Sequence, residues 1–160
     1  MAEVRLERWG EDDAELLAEL NGDPEQMAHV GGAETAEKIA ERQERYVHDP
    51  GCFVVVDGVG DHVGWVGFWE RKWDDRMVHE AGWSIRRTAQ GRGYASKATM
   101  LLVEAAKRAG VRELHAFPGV DNAPSNRVCE RAGFTLARPD LEFEYPPGHT
   151  MRCNDWVLAL

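Results

Sequence analysis

A chain of 160 residues that is 43% hydrophobic and 29% charged has the length and mix expected of one globular domain spanning residues 1–160, neither fibrous nor disordered. Its net charge of −9 argues against nucleic acid, whose phosphates repel an acidic surface, and favours a cationic small molecule or peptide as partner. No apolar run reaches the ~20 residues of a membrane-spanning helix, and "MAEVRLERWG" lacks the basic head and apolar centre of a signal peptide, so no membrane role and a cytoplasmic location are expected. Cys52, Cys129 and Cys153 have no CxxC spacing and predict reduced thiols; no metal site is expected.

Along the chain, Val4–Trp9 alternates apolar and charged residues as a half-buried strand does. Asp12 with Glu15 has the form of a capping box, and Leu16, Leu17 and Leu20 give the following helix an apolar face that "NGDP" ends. A second amphipathic helix starts near Thr35 and runs through "AEKIAERQERYV". Strands are predicted at Cys52–Val56 and Val63–Glu70, joined by a Gly/Asp-rich turn, and at His79–Ile85. The second half alternates: a helix from Gly93 to Ala109, strand "ELHAF", a helix from Ala123 to Ala132, a strand starting at Phe134, then strands around Leu141–Tyr145 and Arg152–Leu158. Ala95, Ala98, Leu102, Ala105, Ala106 and Ala109 form a small-residue stripe suited to lying close on a sheet. This is an α/β layout without repeat or linker, and the hydrophobic "WVLAL" at its end is a candidate for pairing between chains in a homodimer.

The charge is uneven. Residues 1–85 carry 8 Lys/Arg against 20 Asp/Glu, whereas residues 86–160 carry 11 against 8. The switch falls at "RRTAQGRGYAS", Arg86 to Ser96, between a strand and the long helix. A helix start offers unpaired N–H groups and the positive end of the dipole, and Gly91 and Gly93 let an anion approach the backbone. The glycines alone would also serve a tight strand-to-helix turn; Arg86, Arg87, Arg92 and Lys97 around them favour a pyrophosphate cradle. A P-loop would need GxxxxGK[ST], which is absent, and a dinucleotide fingerprint would need glycine where Ser96 stands.

The stretch Gln90-Gly91-Arg92-Gly93-Tyr94-Ala95 resembles the Q/R-x-x-G-x-G/A motif of the GNAT superfamily of N-acetyltransferases. "DNAPSNRVCERAGF" (Asp121–Phe134) is similar to the N-x-x-S-x-x-[VL]-x-E-[KR]-x-G-F segment of that superfamily, and the element order over residues 4–158 fits it. "NGDPEQMAHVGG" resembles the branch containing ribosomal-protein N-terminal acetyltransferases. The resemblance implies an α/β (α+β) fold with a mixed, mostly antiparallel sheet of six to seven strands, opened at its centre, with helices on both faces. It implies transfer of an acetyl group from acetyl-CoA to a primary amine of a small molecule or a peptide or protein N-terminus, by direct attack in a ternary complex. A non-catalytic acyl-CoA-binding or sensing module of the same fold is the alternative.

Carried over by position, the resemblance has "AGWSI" open away from "LHAFP", with the pantetheine arm pairing along the backbone of the first strand, where Trp83 and Ile85 lie and Gly82 marks a bulge. Gln90, Gly91, Arg92, Gly93, Tyr94 and Ala95 form the phosphate loop, Arg86 adds charge beside it, and Asn122 and Ser125 touch the pantetheine. Asn122 also suits the N-cap of its helix, with Pro124 tolerated in the first turn. Deprotonating an amine needs a base; Glu80 shares a face with Gly82 and Ser84 by alternation and is the candidate, while His79 faces the other side. Cys129 stands where many members carry a tyrosine that protonates the leaving sulfur. A thiol can serve there or be a small buried hydrophobe, with Tyr145 or solvent as substitute acids. Trp65, Trp69, Trp73 and Trp83 pack the core or wall an acceptor pocket with a cation–π face.

Overall fold

Strand-forming alternation at the N-terminus yields β1 (Val4–Arg8), which pairs antiparallel with β2 (Cys52–Asp57) in a computed structural model that describes residues 3–144 and 147–160. β2 is buried on both sides. Val54 and Val56 face Leu16, Leu17 and Leu20 of α1 (Ala14–Asn21), while Val55 faces Ala98, Leu102 and Ala106 of α3 (Tyr94–Arg108). α2 (Ala36–His48) lies on the α1 side, begun by Thr35, whose Oγ1 accepts the Lys38 N–H at 3.2 Å. The capping expected of Asp12 and Glu15 is made instead by Asp13, whose Oδ2 accepts the Gly10 N–H at 2.9 Å ahead of a short 3-10 turn. On α3 the buried stripe is Ala98, Leu102 and Ala106 with Ser96, Thr99 and Val103; Ala109 falls past the helix end and is exposed.

β3 (His62–Trp73) and β4 (Arg76–Ile85) form a hairpin longer than the sequence suggests, paired from Gly64↔Ile85 to Trp73↔Arg76. The charged run "RKWDDR" lies between the two predicted strands, yet both continue into it, and Asp74 and Asp75 take φ of 52° and 62°, the two-residue turn that matches strand twist. β4 meets β5 (Glu113–Ala116) in parallel only at His79↔Leu114 and Glu80↔His115. Beyond that pair the two strands part, and the residues that follow, Ala81–Ile85 and Ala116–Gly119, border a common cleft. After α4 (Ala123–Arg131), the strands expected at Phe134 and at Leu141–Tyr145 are one irregular strand, β6 (Thr135–Glu144); Tyr145 lies outside the described residues.

The sheet order is β1-β2-β3-β4-β5-β7-β6, antiparallel except at β4/β5, which is the mixed seven-stranded architecture expected. One expectation is corrected. β7 (Thr150–Ala159), which carries "WVLAL", is hydrogen-bonded by β5 on one side and β6 on the other, so it has no edge to offer a second chain; the free edges are β1 and β6.

Candidate active site

Past Ile85 the chain makes a 3-10 turn over Arg87–Ala89 and enters α3 through Gly91 and Gly93, at φ of 78° and 80°. Only glycine holds such angles cheaply, and a Cβ added at either position would meet nothing within 4 Å, so both face open space. The N–H groups from Gly91 to Ser96 have no partner among the described residues; the first to be used is that of Lys97, on Gly93 O at 3.1 Å. The loop is thus a run of free donors at the positive end of a 15-residue helix. It is braced from behind. Gln90 Nε2 donates to Ile85 O at 2.9 Å and to Gln26 Oε1 at 3.3 Å, and Gln26 Nε2 donates to Ser84 Oγ and Ile85 O, both at 2.9 Å.

The cations named from sequence have separate fates. Arg87 is held by Asp23 and Glu25, each at 2.7 Å. Arg86 turns to Glu19 at 3.2 Å and does not border the cleft; its Nε is buried without a partner among the described residues. Arg92 is exposed and has no carboxylate partner among the described residues. Two arginines that sequence reasoning missed, Arg127 and Arg131 on α4, border the cleft and are likewise unpaired among the described residues. Their signal was their spacing, four apart and so on one helix face, just past the Asn122 cap.

The opening between β4 and β5 is part of a cleft of about 1210 Å³, above the usual range for a single small ligand. Trp83, Ile85, Gln90, Gly91, Gly93, Tyr94, Ala95, Asn122, Ser125 and Glu80 all border it. Asn122 caps α4 through Oδ1, which accepts the Ser125 N–H at 3.3 Å, leaving Nδ2 without a partner among the described residues. Gly82 marks no bulge, because the β3/β4 ladder runs through Gly67↔Gly82 without a shift. It is glycine for space: a Cβ there would stand 2.6 Å from Cη2 of Trp69 and 3.3 Å from Cη2 of Trp65. Cys129 is fully buried in the core beneath α3 and does not border the cleft; desolvation pushes its thiol up to about 12.

On the α1–α2 side the cleft has an aromatic wall. The rings of Tyr46 and Trp65 are 5.5 Å apart and those of Trp65 and Trp69 6.2 Å, and Trp65 Nε1 is a buried donor without a partner among the described residues. Glu80 forms the floor. Its Oε2 accepts from Trp69 Nε1 at 3.1 Å and Arg71 Nη1 at 3.2 Å. Burial raises the pKa of Glu80 above the ordinary carboxylate value, and Arg71 pulls the other way. Arg71 in turn lies over the rings of Phe117, Phe143 and Trp73 at 5.0, 5.5 and 5.6 Å. His79 sits on the opposite face, 4.0 Å from Glu70. Of the tryptophans expected to wall an acceptor pocket, Trp65, Trp69 and Trp83 border the cleft and Trp73 does not. Arg71 and Gln26 were missed as site residues; each reaches the site through strand register or a long loop, which local spacing does not reveal.

Among the described residues no group of three His, Cys, Asp or Glu could hold a metal ion, and no helix is long and apolar enough to cross a membrane. A family model described as an acetyltransferase (GNAT) domain matches residues 3–135. Mycothiol acetyltransferase of Actinosynnema mirum is 28% identical over 113 residues, covering 70% of this chain but only 37% of that protein, so the chain spans well under half of that relative's length. An acetyltransferase of the GNAT family from Bacillus anthracis has the same fold, with a TM-score of 0.82 at 22% identity over 99% of this chain and 96% of that one. The spermidine N-acetyltransferase from Vibrio cholerae, solved with CoA and spermine, gives 0.79 at 18% identity over 98% and 95%.

Proposed function

The chain belongs to the GNAT acetyltransferase family, and on that premise we propose that it moves an acetyl group from acetyl-CoA to the primary amine of a small molecule or of a peptide or protein N-terminus, by direct attack in a ternary complex. The observation that carries the reading is one cleft joining two unlike surfaces: a loop of unpaired N–H donors at one end, and a buried carboxylate under an aromatic wall at the other. The loop fits a pyrophosphate, since the side where a Cβ of Gly91 or Gly93 would project is open and the donors there are unused.

We assign the phosphates to the N–H groups of Gly91, Arg92, Gly93 and Ala95, with Arg92, Arg127 and Arg131 supplying charge, and the pantetheine arm to the β4 edge at Trp83 and Ile85 with Asn122 and Ser125. Acetyl-CoA supplies a thioester whose acetyl group the amine takes. Glu80 is the base: as the acceptor's C–N bond forms and the thioester's C–S bond breaks, one amine proton goes to Glu80 and water protonates the thiolate. Cys129 packs the core and passes no proton to the leaving sulfur, a role its burial supports. The rings of Tyr46, Trp65 and Trp69 beside Glu80 support a cationic acceptor. Within the family we read the Asn21–Gly32 segment, which borders the cleft, as that of the branch with ribosomal-protein N-terminal acetyltransferases. One sheet from β1 to β6 supports a single domain over residues 1–160, and three buried free cysteines support a cytoplasmic location.

The test is to mix acetyl-CoA with a polyamine, an aminoglycoside and short peptides while following free thiol. Thiol release that depends on one of these amines is expected. CoA binding without release for any amine would leave the sensing module as the better reading.

A further inference from the structure

Four neighbouring strands each place an ionisable side chain on one face of the sheet at the level where β4 and β5 last pair. Arg71 on β3 bonds Glu80 on β4; Glu80 is opposite His115 on β5; and His115 bonds Asp155 on β7. The His115 and Asp155 side chains are each 4% exposed, with Nδ1 of the ring 2.8 Å from Asp155 Oδ1. Nε2 is 2.9 Å from Glu113 Oε1, and Glu113 is held from outside by Arg76 at 3.1 Å. A neutral imidazole has one N–H and would turn a lone pair towards one of these carboxylates, so the ring between them is the imidazolium, donating from both nitrogens. With Glu80 and Asp155 ionised the row alternates in sign: Arg71 positive, Glu80 negative, His115 positive, Asp155 negative. Arg138, opposite Asp155 on β6, is turned away to Asp74.

The two halves of the row are tied together by packing as well as by charge. The His115 ring stacks on Phe117, with centroids 5.7 Å apart and planes 13° apart, and Phe117 lies under the Arg71 guanidinium at 5.0 Å. A carboxylate under a tryptophan wall loses hydration, which disfavours its anion, and one arginine on one side is a limited remedy. We infer that His115, held protonated by Asp155 and Glu113, is a positioning residue for Glu80: its fixed charge on the adjacent strand keeps Glu80 ionised and able to take the acceptor's proton near neutral pH. The inference rests on the reading of Glu80 as the base. The directions of the shifts agree with it. Desolvation would lower the pKa of His115, but its bonds to Asp155 and Glu113 more than offset this and raise it; for Glu80 burial raises the value, and Arg71, the Trp69 N–H and, least of the three, His115 act against that rise.

The experiment measures kcat against pH for the wild type, Glu80→Gln, His115→Gln and Asp155→Asn with one good amine acceptor, together with the 15N signals of the His115 ring in the wild-type protein. Removing the positive charge should move the acid limb to higher pH by about one unit in His115→Gln, a loss of about ten-fold in kcat on that limb, with KM for acetyl-CoA unchanged. Asp155→Asn should move the limb the same way by less, and both ring nitrogens should be protonated at pH 7. A folded His115→Gln protein whose limb stays put, or a ring that is neutral at pH 7, overturns the inference. If His115→Gln does not fold, the ring signals and Asp155→Asn decide it by the same criteria. Should Glu80→Gln keep the acid limb, the reading of Glu80 as base fails; a limb abolished in Glu80→Gln but unmoved in His115→Gln removes only the role of His115.

Discussion

The phosphate end and the reaction end of the cleft handle charge in opposite ways. Around Gly91–Ser96 the donors are backbone, unpaired and open, and the cations that border or flank them, Arg92, Arg127 and Arg131, are exposed and without carboxylate partners among the described residues. At Glu80 every charge is partly or wholly buried and engaged: Arg71 on the carboxylate, three rings under Arg71, two carboxylates on His115. A group that binds a fully charged, soluble anion can wait in water at little cost. A group that must change its proton at a set pH needs surroundings that fix its charge, and those surroundings must be built.

If that contrast is right, the two ends should break differently. Glu80→Gln keeps shape and the bond from Arg71 but cannot take a proton, so kcat should fall by about 10²–10⁴, the range for losing a general base, with little change in CoA affinity. Steady-state rates and equilibrium CoA binding on the same preparation check this. A variant that loses CoA binding along with rate would mean that the two ends are not separate.

Gly93→Val attacks the other end. Valine at φ of 80° is strained, by about 1–3 kcal/mol, and its side chain would project into the open side of the loop. We expect CoA affinity to fall about ten-fold or more. Gly60 supplies the control, since it also has a positive φ of 94° and open space but does not border the cleft. Gly60→Val should cost comparable stability and leave CoA affinity intact; equal losses of affinity in both would put the phosphates elsewhere.

The same contrast explains what could be read from sequence. The phosphate end is local: two glycines, a helix start and an asparagine cap lie within forty residues and announce themselves by spacing. Alternation also put Glu80 with Gly82 and Ser84 on one face correctly. What surrounds Glu80 was hidden, because Arg71 reaches it only through a hairpin whose Asp74–Asp75 turn sits in a charged run beyond the predicted strand ends. His115 and Asp155 are 40 residues apart, and Gln26 is 59 from the Ile85 carbonyl it bonds. The insertion of β7 between β5 and β6 likewise has no local signal, which is why a terminal apolar strand reads as an edge.

The exposed cations of the phosphate end should each matter modestly. Arg127→Ala and Arg131→Ala are expected to weaken CoA binding a few-fold each, because a solvated charge on a phosphate is worth about 1 kcal/mol or less, and the loss should shrink as salt is raised. A salt-independent loss would indicate that these side chains pack rather than attract. Binding isotherms at two ionic strengths separate the cases.

The smallest expected effect on catalysis is that of Cys129, which stands where the family's proton donor is expected but lies in the core. Desolvation holds its thiol at about 12, so across pH 7–10 it stays protonated and has nothing to titrate in an assay. The thiol is also sealed off from the cleft, so even a proton it could release would have no path to the departing sulfur. Cys129→Ala should therefore leave both limbs of the kcat–pH profile in place while costing about 1–2 kcal/mol of stability through the small void it opens. Cys129→Ser should be the worse of the two for stability and no worse for rate, since it puts a hydroxyl among apolar neighbours. Thermal melts and kcat from pH 6 to 10 on both variants decide the matter. A basic limb that moves in either one, with the protein still folded, would bring the thiol into the reaction end after all, and the separation between packed core and proton path drawn here would have to be redrawn at α4.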